Sequence, residues 1–192
     1  MRILDRLPCP GLVLACLLAC TSAGVGFAQD RPKPRGEPNP IRFLEPLVGT
    51  WEVRTDDREA PFPRMVWSWE LDGNIIHKTL GLPDGDGFDT LIEGIVAWNP
   101  WERRVVEMRY NKRSELFYSG WYEQVAPDKI VHTYVVYSDW QPSNVNRFRE
   151  TITLIDPKTA RHYTERFLDG EWKEFMRAST THKLDPPPPD PS

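Results

Sequence analysis

The chain has 192 residues, which is enough for one domain of ordinary size with tails. Its formal net charge is −4 at pH 7, and no basic stripe interleaved with aromatic residues occurs in it. Nucleic acids and anionic membrane surfaces both attract basic proteins. These two classes of partner are therefore excluded from the predicted functions.

The N-terminal segment, residues 1–28, has the organisation of a secretory signal peptide. Arg2 and Arg6 form a short basic start, and the apolar run Leu12–Cys20 follows it. Gly26–Ala28 then supplies small residues at the −3 and −1 positions of a cleavage site. The apolar run is too short to span a bilayer as a helix. The sequence therefore predicts an exported protein, periplasmic or secreted.

All three cysteines of the chain lie inside this segment, at positions 9, 16 and 20. Cleavage after Ala28 would leave a mature protein without a thiol, and hence without a disulfide or a cysteine nucleophile. The tetrapeptide Leu17–Cys20 also resembles a bacterial lipobox, which would leave Cys20 as a lipidated first residue. An outer-membrane lipoprotein, in contact with the membrane only through this anchor, is the alternative.

Two proline-rich segments enclose the remainder of the chain. Residues 29–40 and residues 185–192 lack the apolar residues that a core requires, and we interpret them as a disordered spacer and a disordered tail. All eight tryptophans and all six tyrosines fall between them. Residues 41–184 are therefore predicted to form one domain.

Within this domain, short runs of alternating polarity are separated by turn residues, and no amphipathic helix of three turns is evident. Asp72-Gly73-Asn74, Asn99-Pro100 and Asp169-Gly170 are typical of tight hairpin turns. The pattern predicts ten strands, over Gly49–Thr55, Arg64–Leu71, Ile75–Leu82, Thr90–Trp98, Arg104–Tyr110, Leu116–Val125, Lys129–Tyr137, Arg147–Ile155, His162–Leu168 and Trp172–Thr181.

Ten consecutive strands joined by short turns favour an all-β, antiparallel up-and-down arrangement. Closing such a sheet into a single barrel removes both of its free edges. We therefore predict a barrel of about ten strands. A two-sheet sandwich is the alternative that periodicity alone leaves open.

The segment Phe43–Glu52, read as the first strand, resembles the opening of calycin-type barrels, which begin with a Gly-x-Trp strand. In this sequence the motif is Gly49-Thr50-Trp51, where the tryptophan is expected to plug one barrel end. Further segments resemble uncharacterised exported lipocalin-like families of bacteria: Trp67–Asn74, Gly94–Pro100, Phe117–Trp121 and Asp169–Arg177. The resemblance implies a lipocalin-, fatty-acid-binding-protein- or nitrobindin-like barrel, and it implies no particular activity.

Aromatic residues on the predicted strands are the candidates for a ligand-binding wall. Trp67 and Trp69 share one strand face with Met65 and Leu71, and such a face forms either a ligand wall or ordinary core. Aromatic residues and arginines on other predicted strands are added to these two tryptophans as candidates. The candidate ligand-binding residues are Trp51, Trp67, Trp69, Tyr118, Tyr134, Arg149 and Arg177.

Two roles are open for the arginines among them. By resemblance to lipocalins, Arg177 of the last strand packs over Trp51; otherwise it projects into the cavity and binds a ligand carboxylate. Arg149 belongs to a group that forms either cross-strand ion pairs on the outer face or an anion pocket at the barrel mouth. That group consists of Arg147, Arg149, Arg161 and Arg166, with Glu150, Glu165 and Glu174 on neighbouring strands.

Metal and cofactor patterns are weak. The acidic segment Pro83–Asp89 departs from EF-hand spacing and is predicted to be a long hairpin loop. The four histidines show no zinc spacing. His182 resembles the C-terminal axial ligand of heme-binding barrels, but those relatives carry glycines after the first tryptophan, whereas Glu52–Arg54 follows Trp51 here. No cofactor is predicted, and heme through His182 is the alternative.

Catalytic motifs are absent from the sequence: it has no Gly-x-Ser-x-Gly elbow, no Cys/His pair and no phosphate loop. Glu93, Glu107 and Glu123 could act as acids or bases, but their spacing does not pair them. We therefore predict an exported barrel that binds a small apolar or amphiphilic molecule. The alternatives are an envelope module whose barrel is filled by its own side chains, and an enzyme of unknown reaction.

Overall fold

The computed structural model describes residues 39–55, 59–85, 87–138 and 145–185. The predicted signal peptide, the candidate lipidation site Cys20, nearly all of the spacer and the tail beyond Asp185 lie outside these ranges. The side chain of Arg177 also lies outside the description, although its backbone belongs to the last strand.

Ten antiparallel strands form one closed barrel, in which each strand pairs with its neighbours in the chain and β1 pairs with β10. The predicted up-and-down barrel is confirmed, and the two-sheet sandwich is wrong. Predicted and observed strands agree to within a few residues. The strands are β1 Gly49–Arg54, β2 Arg64–Glu70, β3 Ile75–Asp84, β4 Gly87–Asn99, β5 Arg104–Asn111, β6 Leu116–Ala126, β7 Lys129–Ser138, β8 Asn146–Asp156, β9 Thr159–Leu168 and β10 Glu171–Lys183.

The β3–β4 hairpin differs from the sequence prediction. Pro83 pairs with Phe88 and Asp84 pairs with Gly87, so the long loop expected over Pro83–Asp89 is wrong. The glycines of this segment allow a tight turn instead, since Gly85 has a φ of +54°, a conformation that glycine adopts without strain.

A 3-10 helix over Arg42–Leu47 precedes β1, where the sequence had suggested a continuous first strand. Ile41, Leu44 and Leu47 are spaced three residues apart, and a 3-10 helix places residues at that spacing on one side. All three are buried against Trp51 in the core. They close the barrel at the end that we call the lower end. A second 3-10 helix, Leu71–Gly73, joins β2 to β3 and leaves Leu71 exposed.

Trp51 is the centre of this closure, as the Gly-x-Trp motif predicted. Its ring is 1% exposed, and its Nε1 donates a hydrogen bond to the carbonyl oxygen of Leu47 at 2.7 Å. The cation over the ring is Lys183, with Nζ 5.4 Å from the ring centroid; the β1–β10 register pairs Trp51 with Lys183 and not with Arg177. Gly49 leaves room for this lysine, since a Cβ there would lie 2.6 Å from Lys183 Cε.

No helix within the described ranges has the length and apolar composition needed to cross a membrane.

Replacing Trp51 with alanine should lower the free energy of unfolding by roughly 3–5 kcal/mol, because it removes a fully buried ring and leaves a cavity. Trp101 is the matched control, since it is 89% exposed and its replacement should change the value by less than about 0.5 kcal/mol. Urea unfolding of both variants checks this. Equal midpoints for the two variants would show that Trp51 does not close the barrel.

Candidate functional site

The middle level of the barrel interior contains a network of charged and polar side chains. Lys78 Nζ donates hydrogen bonds to Glu107 Oε1 and to the hydroxyl oxygen of Tyr122, each at 3.1 Å. The Tyr122 hydroxyl in turn donates to Glu107 Oε1 at 3.0 Å. All three residues are buried. An ion pair at this depth requires these additional hydrogen bonds, because burial removes the hydration of both charges.

A second half of the network continues around the barrel wall. The ring of His132 lies between two carboxylates, with Nε2 2.8 Å from Glu107 Oε2 and Nδ1 3.6 Å from Glu150 Oε2. Glu150 Oε1 contacts His162 Nδ1 at 2.7 Å, and His162 Nε2 contacts Thr181 Oγ1 at 3.0 Å. These contacts link β3 to β10 through one connected set of side chains.

Both interior carboxyl groups are held in the charged form. Burial acts to raise the pKa of Glu107, but the nearby charges of Arg109 and Lys78 hold that pKa well below its usual value of 4.5. Burial also acts to raise the pKa of Glu150, but the adjacent imidazoles of His132 and His162 hold that pKa well below 4.5. Burial lowers the pKa of the Lys78 amine.

Solvent reaches this network from one side. On β8, Glu150 lies two positions from each of the buried residues Phe148 and Ile152 and therefore shares their inward face. Its side chain is nevertheless 19% exposed. The neighbouring His132 is 0% exposed. From this exposure we infer an open space beside the Glu150 side chain, which we call the cleft. Because the apolar lower level is closed, this cleft faces the opposite end of the barrel, which we call the upper end.

Aromatic rings form one wall from the network toward the upper end. Tyr134 stacks on the ring of His132 with centroids 4.7 Å apart and on Phe148 with centroids 5.3 Å apart. Phe148 contacts Phe175, whose ring lies 4.9 Å away and which is half exposed. Tyr134 is partly exposed. The cleft therefore has a charged floor and an aromatic wall.

Arg109 lies above the network between two tyrosines. Its guanidinium carbon is 4.6 Å from the ring centroid of Tyr118 and 4.7 Å from that of Tyr134. Arg109 Nε is 3.5 Å from Glu107 Oε2, and the side chain is 11% exposed. Contact with two aromatic faces is a favourable setting for a desolvated guanidinium.

The tryptophans predicted as ligand-wall residues occupy two different environments. Trp51 belongs to the closed lower end, and Trp69 lies there too, with Nε1 3.2 Å from Glu45 Oε1. Trp67 is buried beside the network, with Lys78 Nζ 4.5 Å from its ring centroid and Tyr122 in edge contact. Of the predicted wall residues, Tyr118 and Tyr134 are the two that line the upper part of the interior.

The arginines that the sequence analysis considered face different sides of the barrel wall. Arg149 faces outward, where its Nε and Nη2 each lie 2.8 Å from Glu165 Oε2 and its guanidinium carbon is 4.7 Å from the Trp172 ring centroid. This is the cross-strand ion pair that the sequence allowed. Arg166, by contrast, pairs in register with Phe148 and faces the interior. The orientation of the Arg177 side chain lies outside the described structure.

His182, considered as a heme ligand, stands opposite Glu52 on β1. Strand alternation turns it away from the interior, which its neighbour Thr181 faces. Among the described residues, no group of three or more histidine, cysteine or acidic side chains is arranged to hold a metal ion.

Sequence reasoning missed the network because its members lie on different strands. The sequence nevertheless contains a signal, because His132, Glu150 and His162 each lie two positions from an apolar residue on the same strand face. The pairs are Ile130-x-His132, Glu150-x-Ile152 and Ala160-x-His162. A polar residue at an inward position of a strand is therefore the feature to look for. Only the cross-strand register then shows that these positions meet.

The order carboxylate, imidazole, hydroxyl in Glu150, His162 and Thr181 is that of a hydrolase triad. Thr181, however, is 1% exposed, and its hydroxyl also lies 3.4 Å from the carbonyl oxygen of Ala160. A substrate carbonyl has no space to approach this oxygen. The arrangement therefore orients His162 and Glu150 and does not provide a nucleophile.

The fold defines the class of this protein, a closed ten-stranded antiparallel β-barrel. No protein-family profile and no curated protein matches the chain. The structure of Rv2717c from M. tuberculosis is similar, with 11% identity and a TM-score of 0.47 over 77% of this chain and 99% of that chain. The structure of EF1p2_mFAP2b bound to DFHBI has 13% identity and a TM-score of 0.32 over 76% of this chain and 99% of that chain. Function is therefore argued from the site itself.

Acid should destabilise the barrel through its interior carboxylates. The pKa of Glu107 and of Glu150 is depressed in the folded state, so below about pH 4.5 the unfolded chain binds protons that the folded chain does not. The unfolding free energy should therefore be steady above that pH and fall below it. Urea unfolding at a series of pH values measures this dependence.

The variant Glu107→Gln tests the source of this effect. At neutral pH it should lose about 3–5 kcal/mol, because it leaves buried cations without their carboxylate, and its stability should fall less steeply in acid. Glu123→Gln changes an exposed carboxyl on β6 and should behave like the unaltered protein. If the two variants had the same stability and the same pH dependence, the network would not be a stabilising feature.

Proposed function

We propose that this protein is a binding barrel for a small amphiphilic molecule, which occupies the cleft in the upper half of the interior. The observation that carries the proposal is the exposure of Glu150. The Glu150 side chain faces the interior of the barrel and is 19% exposed, which is the basis for space above the network. Binding sites of this kind combine an apolar wall with a few placed polar groups.

The composition of the cleft favours an amphiphile over a purely apolar ligand. The aromatic wall of Tyr134, Phe148 and Phe175 offers apolar contact, whereas Arg109 and Glu150 offer charge. A purely apolar molecule would leave these charges without solvent or partner, at a high desolvation cost. A ligand with one polar end satisfies both surfaces.

The alternative of a barrel filled by its own side chains describes the lower half well. Trp67, Tyr122 and His132 are nearly or fully buried there. An enzymatic function receives less support, because a general acid in such a cleft would have a raised pKa, whereas the pKa of both interior carboxyl groups is depressed.

We further propose that the protein works outside the cytoplasm, on the basis of the signal-like segment Leu12–Cys20 and the small residues Gly26–Ala28. N-terminal analysis of the protein from its native host should find a chain that begins at Gln29, or at a lipidated Cys20. An intact Met1 would contradict export.

Filling the cleft tests the binding function. Ser179 stands opposite His162 on the inward side of β10, and Ser179→Trp should fill the space beside Glu150. Ser119→Trp is the matched control, because Ser119 pairs with the half-exposed Met108 on the outer face. Titration calorimetry with fatty acids, retinoids and naphthalene dyes should give binding to the unaltered protein and to Ser119→Trp, and at least about tenfold weaker binding to Ser179→Trp.

Equal affinity of the two tryptophan variants would mean that the ligand binds elsewhere. No binding of any of these compounds at up to ~100 μM would favour the filled-barrel alternative. Thermal unfolding of both variants establishes that each is folded.

A further inference from the structure

We infer that the ligand of this cleft is an organic anion, bound through the guanidinium of Arg109. This inference deepens the proposed function and rests on it. The sequence had suggested Arg177 or Arg149 as a ligand anchor, whereas the geometry points to a residue of β5 that sequence patterns did not single out. Three independent features of the upper interior support the assignment.

The first feature is the balance of charge. Lys78 and Arg109 match Glu107 and Glu150 in charge within the network, and Arg166 faces the interior on β9 at the register position of Phe148. Among the described residues, Arg166 forms no ion pair with either network carboxylate, so it adds a positive charge that the network does not balance. Buried charges are stable when they are paired, so an anion completes this arrangement.

The second feature is the way in which the carboxylates are already engaged. Glu107 Oε1 accepts hydrogen bonds from Lys78 and Tyr122, whereas Oε2 lies 2.8 Å from His132 Nε2 and 3.5 Å from Arg109 Nε without a hydrogen bond among the described residues. Glu150 is engaged by His132 and His162. Glu107 therefore gives Arg109 one oxygen at ion-pair distance, and not the two parallel hydrogen bonds that a guanidinium typically makes with an acid.

The third feature is the state of Arg109 itself. Within the described part of the chain, its guanidinium makes no hydrogen bond: its buried Nε lies 3.5 Å from Glu107 Oε2 but without the geometry of a hydrogen bond. The group is nevertheless fixed in place by the faces of Tyr118 and Tyr134. The Arg109 guanidinium is therefore a planar donor that is held rigidly, is partly exposed and has no hydrogen-bond acceptor among the described residues. Such a group can make a bidentate contact with a carboxylate, sulfonate or phosphate.

Arg166 supplies a second cation near the same level. It pairs in register with Phe148 of the aromatic wall, and among the described residues its Nη2 donates a hydrogen bond to the neutral side-chain oxygen of Asn146 and to no carboxylate. Its buried Nε has no acceptor among the described residues. The acid group of the ligand therefore lies between two guanidinium groups, and its apolar part contacts Phe148 and Phe175.

The test compares two dyes with the same ring system. Anilinonaphthalene sulfonate carries a negative charge, and phenylnaphthylamine is its neutral counterpart. Arg109→Met keeps the aliphatic stem and removes the charge. We expect this variant to bind the sulfonate at least about tenfold more weakly and the neutral dye within about twofold of the unaltered protein. Arg161→Met, which changes an exposed arginine on the outer face of β9, should alter neither affinity.

A measurement on the unaltered protein covers the case in which Arg109→Met does not fold. Decanoate and decanol should compete for bound neutral dye, and we expect decanoate to displace it at a concentration about tenfold lower or less, despite its greater solubility in water. If decanol competes as well as decanoate, or if Arg109→Met weakens both dyes equally, the inference of an anionic ligand is overturned and the binding cleft remains. If neither dye binds, the proposed function itself fails.

Discussion

The buried carboxylate of Glu107 is the interaction on which the rest of the interior depends. It is in contact with Lys78, Tyr122, His132 and Arg109, which come from four different strands. A charge without water is stable only when such partners surround it, and each partner in turn needs the carboxylate. The network therefore fixes how far the barrel wall can move at its middle level, and the shape of the cleft above it follows from that constraint.

The width of the barrel explains why a network occurs here at all. An eight-stranded barrel is just wide enough for its side chains to fill it, and this barrel has ten strands. At the lower end an additional 3-10 helix brings Leu44 and Leu47 into the lumen, so that apolar packing is complete. At the middle level, the described ranges of the chain contain no such insertion. Long polar side chains span the distance there, and the space that they leave is the cleft.

The fold could be predicted from the sequence because its determinants are local. Period-two alternation, turns such as Asp72-Gly73-Asn74 and the Gly49-x-Trp51 motif each act within a few residues of the chain. Ten such strands with short links leave closure into a barrel as the favoured topology. The β3–β4 turn was mistaken for a long loop because three aspartates and two glycines are typical of loops as well as of tight hairpins.

The candidate site could be predicted only in part. Tyr118 and Tyr134 line the upper interior, as predicted. Their placement could be predicted because it depends only on which of the two strand faces each residue occupies. Lys78, Glu150 and His162 are separated by up to 84 positions in the sequence, and their contacts depend on the register of the intervening strands. Arg149 and Arg166 illustrate the same point: they lie on adjacent strands, and only the register shows that one faces outward and the other inward.

Strand β1 has one consequence for motion. It is six residues long, and it is joined to β2 and to β10 by four residue pairs on each side, whereas the other neighbouring strands share seven or more. Trp51 and Gly49 compensate for this short ladder by locking the lower half of β1 beneath the 3-10 helix. Local opening in proteins begins where the fewest backbone hydrogen bonds must break. Local opening of the barrel wall is therefore expected first at the upper half of β1, and not between strands that share longer ladders.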